Sequence, residues 1–244
     1  MPSALVTGSS RGIGRAAAER FARDGYDVAV NYVSSEAAAE AVVSGIESTG
    51  RDAVAIRADV SDPDAAERLV DSAVEAFGGL DHVVNNAGID QHVHTDSLSP
   101  ADFDHVMDVN VNGAFTVTKA ALTHLRESGV EPSPSITNVS SILAHTGAPI
   151  ECHYAASKAG LLGLTKSHAA DFAPEVRVNA IAPGHIETDM TGDRTEDERR
   201  EQLESIPVGR FGQPTDVADA VAYLRDAGFV TGETLEVNGG ELMR

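Results

Sequence analysis

The order of segments predicts a doubly wound α/β protein: a parallel sheet of seven strands with helices on both faces, in one domain spanning 1–244. Three observations carry that expectation. Short apolar runs alternate with longer helical periods along nearly all of the 244 residues, as repeated βα units require. A glycine cluster falls between the first strand and the first helix. No linker, low-complexity tract or solenoid repeat interrupts the pattern.

Each element has a local reason. "ALVTG" is a short apolar strand running into glycine, and "IGRAAAERFARDG" is an amphipathic helix stopped at Gly25. "YDVAVNY" is the second strand. "SEAAAEAVVSGIESTG" is an alanine-rich helix that ends at Gly50, and "DAVAIRADV" is the third strand. "DPDAAERLVDSAVEAFGG" opens with a capping aspartate, a proline and first-turn acids, which suit a helix start. "LDHVVNNAG" is the fourth strand, followed by a helix from Phe103 to Glu127, a surface loop "ESGVEPSP" and a fifth strand "SITNVSS". A helix from His153 to Phe172, a sixth strand "VRVNAIAPG" and a short seventh "ETLEVNGG" complete the pattern. Right-handed crossovers then make the sheet parallel. The charged stretch "TGDRTEDERREQLESIP" follows a strand's C-terminal end, so it is expected to form a lid over a site there, at about 188–212.

The formal net charge is −20, and the only lysines are Lys119, Lys158 and Lys166. Arginine in place of lysine also marks high-GC genomes, but base composition does not account for so many carboxylates. We read the balance as adaptation to high salt, which screens charges within about 3 Å at 1 M. The same charge argues against nucleic acid and anionic membranes as partners. No apolar run approaches the ~20 residues of a membrane span, and "MPSALVTGSS" enters a strand with no leader-like segment. The expectation is a cytoplasmic protein. The single cysteine, Cys152, has no partner for an internal disulfide.

The glycine cluster reads "TGSSRGIG", with Gly8, Gly12 and Gly14 at a G-x-x-x-G-x-G spacing. Between a strand and a helix, such glycines allow a tight turn and close approach of the backbone to a pyrophosphate at the helix N-terminus. A second stretch is "YAASK", Tyr154 to Lys158. A tyrosine titrates near pH ~10, and a lysine four residues on lies one helical turn away on the same face.

These motifs occur in order with "DV" at Asp59–Val60, "NNAG" at 85–88, Asn110, "SS" at 140–141, and "PG" at 183–184 before Thr188. Together they resemble the short-chain dehydrogenase/reductase family, from about Ala4 to Gly240. The resemblance implies a Rossmann-type fold and a role for each motif. Tyr154 would be the general acid or base. Lys158 would lower its pKa by charge and hydrogen-bond the nicotinamide ribose. Ser141, thirteen residues before Tyr154, would polarise the carbonyl, and not its neighbour Ser140, since adjacent strand residues point oppositely. Asn110 would hold a water in a proton relay, a role that can coexist with satisfying backbone groups at a helix kink. Gly8, Ser10, Arg11, Gly12, Ile13 and Gly14 would hold the cofactor's diphosphate end. Asp59 and Val60 would border the adenine, and Asn86, Ala87 and Gly88 the adenosine ribose. Pro183, Gly184, Ile186 and Thr188 would bind the nicotinamide end, with Tyr154 and Lys158.

Cofactor choice follows from charge. An acid at the end of the second strand would accept from an NAD ribose and repel a 2′-phosphate. Here Asn31 and Tyr32 stand there, Arg11 adds a cation, and Ser34 and Ser35 add donors. NADP(H) is expected. His92 and His94 in "DQHVHTD" are too few ligands for zinc, so no metal is expected. His145, His153 and His185 are read as substrate-pocket neighbours.

Within the family the chain looks most like 3-oxoacyl reductases, which reduce a β-keto thioester on acyl-carrier protein or coenzyme A. "ESGVEPSP" and "FAPEVR", with Glu127, Glu131 and Glu175, read as an acidic mouth that would repel an acidic carrier protein in low salt. A sugar or polyol dehydrogenase is the alternative, and a non-catalytic NADP-sensing regulator a remote one. The tail "YLRDAGFVTGETLEVNGG" is shorter than the family's. By resemblance, a homotetramer would form through the helices at 103–127 and 153–172.

Overall fold

Seven strands run parallel in one sheet: β1 (Ser3–Val6), β2 (Asp27–Tyr32), β3 (Ala53–Arg57), β4 (His82–Asn85), β5 (Ser135–Val139), β6 (Arg177–Pro183) and β7 (Thr234–Val237). Their spatial order is β3-β2-β1-β4-β5-β6-β7. The computed structural model describes residues 1–188 and 195–243. Alternation along the strands sets the two cores. Ala4 and Val6 of β1, Val28 and Val30 of β2, and Val84 of β4 face one side. Leu5, Ala29 and Val83 face the other. Both sides are apolar because both are covered by helices.

The first face is covered by α1 (Gly12–Arg23), α2 (Glu36–Glu47) and α9 (Pro214–Asp226). The opposite face carries α3 (Pro63–Phe77), α5 (Gly113–Glu127) and α7 (Cys152–Phe172). The expected caps are present in α3, where Asp62 accepts from the amides of Asp64 and Ala65 and Pro63 opens the helix.

Three differences from the sequence reading stand out. The helix expected from Phe103 begins earlier, as α4 (Pro100–Met107), capped by Ser99. It passes through a π-turn at Asp108–Asn112 before becoming α5, and Asn110 sits in that turn. The pattern assigned no element to α9, yet Pro214 and the paired Gln213 and Asp216 caps start a helix there. A short α6 (Leu143–Thr146) lies between β5 and α7. The proposed lid falls partly on residues 189–194, outside the described residues. Within its remainder, Glu196–Ser205 form α8, tied to the body by an Arg199–Glu187 ion pair and by Arg199 lying 4.5 Å from the centre of the Phe211 ring. No helix among the described residues is long and apolar enough to cross a membrane.

The strand order reverses between β1 and β4, which are neighbours although α1, β2, α2, β3 and α3 separate them in the chain. A crevice opens where the connections from such a pair diverge, at the strands' C-terminal ends. That crevice is the candidate site.

Candidate active site

The β1–α1 turn forms the floor of the crevice. Gly8 has a φ of 61°, and a Cβ there would stand 3.0 Å from Ala87 Cα. Gly14 has no room either: a Cβ would meet Asn86 Nδ2 and Gly8 O, each at 2.5 Å. Asn86 binds this turn from β4, donating to the carbonyls of Thr7 (2.9 Å) and Gly8 (3.1 Å). The first turn of α1 has no side-chain cap, since Arg11 supplies none. Uncapped amides beside a bare glycine turn are what a diphosphate needs. The residues present therefore fit the expected dinucleotide.

A cleft of about 710 Å³ runs from this turn along the C-terminal edge of the sheet. It brings together the predicted residues of both kinds. Of the predicted cofactor set, all but Gly14 line it, and so do Ser141, Tyr154 and Lys158 of the catalytic set. Gly14 lies beneath the turn, and Asn110 behind the wall. Arg11 and Ser34 are exposed at one end, beside Asp59, whose carboxylate accepts from the amide and hydroxyl of Ser61.

Asn31 is placed differently from the expectation. Its carboxamide is buried and committed to backbone. Oδ1 accepts from the Gly8 amide (3.0 Å), and Nδ2 donates to the carbonyls of Ala58 (3.0 Å) and Ile56 (3.3 Å). It braces the glycine turn against β3, leaving Arg11 as the exposed cation of the predicted 2′-phosphate set.

At the other end, both serines after β5 line the cleft, but their hydroxyls turn to different partners. Ser140 Oγ is buried and donates to the carbonyl of Lys158 at 2.8 Å. Ser141 is hydrogen-bonded to Tyr154 and accepts from the Leu143 amide at 3.1 Å. Lys158 is buried, and its ammonium donates to the Val139 carbonyl at 2.8 Å while lying 5.4 Å from the centre of the Tyr154 ring. Asn110 takes the backbone role. It accepts from the Ile89 amide (2.8 Å) and donates to the Ile89 carbonyl (3.0 Å) and to Ser157 Oγ (2.9 Å). Ser157 in turn donates to the Tyr154 carbonyl at 2.7 Å. The π-turn thus clamps the segment after β4 to the first turn of α7.

The electrostatics oppose one expectation. The Tyr154 phenol is held above its ordinary range, first by burial and then by the Asp90 carboxylate, with the Ser141 hydrogen bond acting the other way. Burial pushes Lys158 down to about 8, against the pull of Asp90. Burial and the neighbouring carboxylate therefore set the direction for the phenol, and the lysine's charge is itself disfavoured.

Asp90 is the residue the motif reading missed. It lines the cleft, and Glu151, at the start of α7, stands close to it across His92. No spacing rule connects positions 90 and 151. Conversely, the acidic mouth is misplaced. "ESGVEPSP" and "FAPEVR" lead into β5 and β6, so Glu131 and Glu175 lie at the N-terminal edge of the sheet, away from the cleft. The three histidines also turn elsewhere. His153 is fully buried, His145 pairs with Glu236 at 3.1 Å, and His185 pairs with Glu241 at 2.9 Å. None of them lines the main cleft.

Comparison with known proteins places this architecture. A protein-family model described as enoyl-(acyl carrier protein) reductase matches residues 8–241. A 3-oxoacyl-[acyl-carrier-protein] reductase FabG of Staphylococcus aureus is 46% identical over 246 residues, covering 99% of this chain and 98% of the relative. Glucose 1-dehydrogenase 2 of Bacillus subtilis is 41% identical over 245 residues, 98% of this chain and 93% of the relative. Among solved structures, a short-chain dehydrogenase of Burkholderia cenocepacia in complex with NADP superposes with a TM-score of 0.91 at 40% identity, covering 98% of this chain and 97% of that one.

Proposed function

The chain belongs to the short-chain dehydrogenase/reductase family, and we propose that it reduces a 3-oxoacyl thioester to the 3-hydroxyacyl thioester with NADPH. One observation carries this reading. Ser141, Tyr154 and Lys158 converge at one end of a cleft whose other end holds the glycine turn and Arg11. The S. aureus relative, named as a 3-oxoacyl-[acyl-carrier-protein] reductase, supports the substrate class. The Burkholderia structure, solved with NADP, supports the cofactor.

Bound NADPH supplies the hydride. This chain's residues handle oxygen and proton. Ser141 donates to the substrate's carbonyl oxygen and fixes it beside the phenol. Tyr154 gives its proton to the same oxygen as the alkoxide forms. A phenol held above its ordinary range stays protonated at neutral pH, the form a general acid requires. An alkoxide is a far stronger base than a phenolate, so transfer remains downhill. The phenolate left behind faces Lys158, whose ammonium becomes more favourable once a negative charge appears nearby. Ser140 and Asn110 act through others: one anchors the Lys158 backbone, and the other, through Ser157, anchors that of Tyr154.

A second reading has its own support. Asp90 puts a carboxylate in the cleft, which accepts hydrogen bonds from a polyol's several hydroxyls, whereas the 3-oxoacyl group itself carries no N–H or O–H donor. The B. subtilis relative is named as a glucose dehydrogenase. The deciding experiment measures NADPH consumption with acetoacetyl-coenzyme A in multimolar KCl, beside NADH and a glucose-plus-NADP reaction. Thioester turnover specific for NADPH supports the first reading. Sugar oxidation without thioester turnover moves the substrate to the second. We also read the half-exposed Phe115 on α5, whose ring lies 6.2 Å from His168 on α7, as part of a contact between copies in a tetramer. Light scattering tests this.

A further inference from the structure

One cluster beside the catalytic residues has the donors and spacing of a metal centre. Asp90, His92 and Glu151 each present one ligand atom, and the three atoms lie within 4.8 Å of one another. His92 Nε2 is 3.3 Å from Asp90 Oδ2 and 3.6 Å from Glu151 Oε1. We propose that these three side chains bind one divalent transition-metal ion at the substrate side of the cleft.

The distances suit an ion better than a direct ion pair. A charge-assisted N–H···O bond closes to about 2.7–2.9 Å. Two ligands on a tetrahedral zinc, each at about 2.0–2.1 Å, stand roughly 3.3 Å apart along the polyhedron's edge. The donors arrive from two segments, one following β4 and one preceding α7. A hydrogen bond from the Val93 amide to the Ile150 carbonyl (2.8 Å) ties these segments together next to the ligands. The imidazole is open to solvent, with 63% of its side-chain surface exposed, whereas the carboxylates of Asp90 and Glu151 retain 10% and 19%. A cation can therefore enter past His92 and meet two largely shielded carboxylates. Those carboxylates repel each other in a chain of net charge −20, and a dication between them removes that repulsion. One nitrogen with two oxygens favours zinc, cobalt or nickel over magnesium and calcium, which prefer oxygen alone.

The ion is not needed for proton transfer, because Ser141, Tyr154 and Lys158 are complete without it. Three protein ligands leave a position for water or a substrate oxygen, so its natural role is to hold a polar part of the substrate at the rim of the cleft. The proposal stands whichever substrate the enzyme reduces or oxidises.

The test uses the full, tag-free chain after chelator treatment, titrated with Co²⁺ and followed by visible absorption and by equilibrium dialysis. One equivalent is expected to bind, to be displaced by Zn²⁺, and to lose tenfold or more in affinity in both His92→Ala and Glu151→Gln. His92 is exposed, so its variant retains the fold, which circular dichroism checks. Two results overturn the proposal: no stoichiometric binding to the wild type, or equal binding in the wild type and both variants. The second would place an adventitious ion elsewhere, such as at the His145–Glu236 or His185–Glu241 pairs.

Discussion

Replacing Asn31 with aspartate swaps an amide nitrogen for an oxygen in a side chain that is 1% exposed. The bond from Gly8 N to Oδ1 can survive. Both donor bonds, to the carbonyls of Ala58 and Ile56, cannot, and a carboxylate oxygen then faces two carbonyl oxygens. Buried groups left unsatisfied lose about 1–3 kcal/mol, and an ionised carboxylate adds to that. A loss of about 2–4 kcal/mol overall lowers the melting temperature by roughly 4–16 °C for a chain of this size. The defect also has a pH signature. In the folded state the new carboxyl's pKa lies above its unfolded value of about 3.9. Below that value both states are protonated, and the acid's O–H can still donate to a carbonyl. As pH rises past it the native state binds more protons than the unfolded one, so the variant loses stability relative to wild type until the folded pKa is passed. Thermal melts of both proteins in multimolar KCl, from pH 4 to 8, check this. A gap under a degree that does not change with pH would refute the account of Asn31 as a buried brace.

Other predictions concern chemistry and charge. Tyr154→Phe should abolish turnover and keep NADPH binding; appreciable turnover in that variant removes the general-acid role. Ser141→Ala should lower kcat by about 100-fold or more, whereas Ser140→Ala, acting through the Lys158 backbone, should do less. Arg11→Ala should raise the Kd for NADPH by about tenfold, in line with one charge-assisted bond, and leave that for NADH within twofold; equal losses for both would end the 2′-phosphate assignment. Lys158→Met should be more stable than the wild type below pH 8. That advantage shrinks as pH approaches 10.5, because the native lysine, at about 8, has by then released the proton the unfolded chain still holds. An advantage unchanged across this window, in pH-dependent melts, contradicts the buried-ammonium picture. Finally, the melting temperature should rise between dilute buffer and several-molar KCl, and a flat response would reject the high-salt reading of the net charge.

What could be read from the sequence was what sits close together in the chain. The glycine turn, the caps of α3 and the Tyr154–Lys158 pair are local, and backbone geometry leaves them few alternatives. Ser141 was distinguishable from Ser140 because neighbouring residues in extended chain diverge. The brace made by Asn31 was not legible, since its partners Ala58 and Ile56 come from another strand and an amide there suits a ligand equally well. The pairing of Asp90 with Glu151 depends on how two loops close over the sheet. The misplaced acidic mouth is a different kind of error. Segments that enter a parallel strand lie at the opposite edge from those that leave it, so the position of "ESGVEPSP" ahead of β5 already argued against a place at the cleft. The π-turn hides for another reason: its extra residue leaves the apolar pattern of α4 and α5 almost undisturbed.

The central place of β1 bears on how the molecule is made. It precedes the other strands of the sheet in the chain, yet it lies between β2 and β4, and the amide of Ser3 closes on Asp81, 78 residues later. Until β4 emerges, one edge of β1 and β2 offers unpaired backbone groups to any neighbouring chain. Because the cleft draws residues from Gly8 to Thr188, a nascent chain cannot assemble it until synthesis has passed Thr188. Premature release would yield a sheet with an open edge and no complete catalytic set, so truncation near the C-terminal end of β5 should give an aggregating and inactive product.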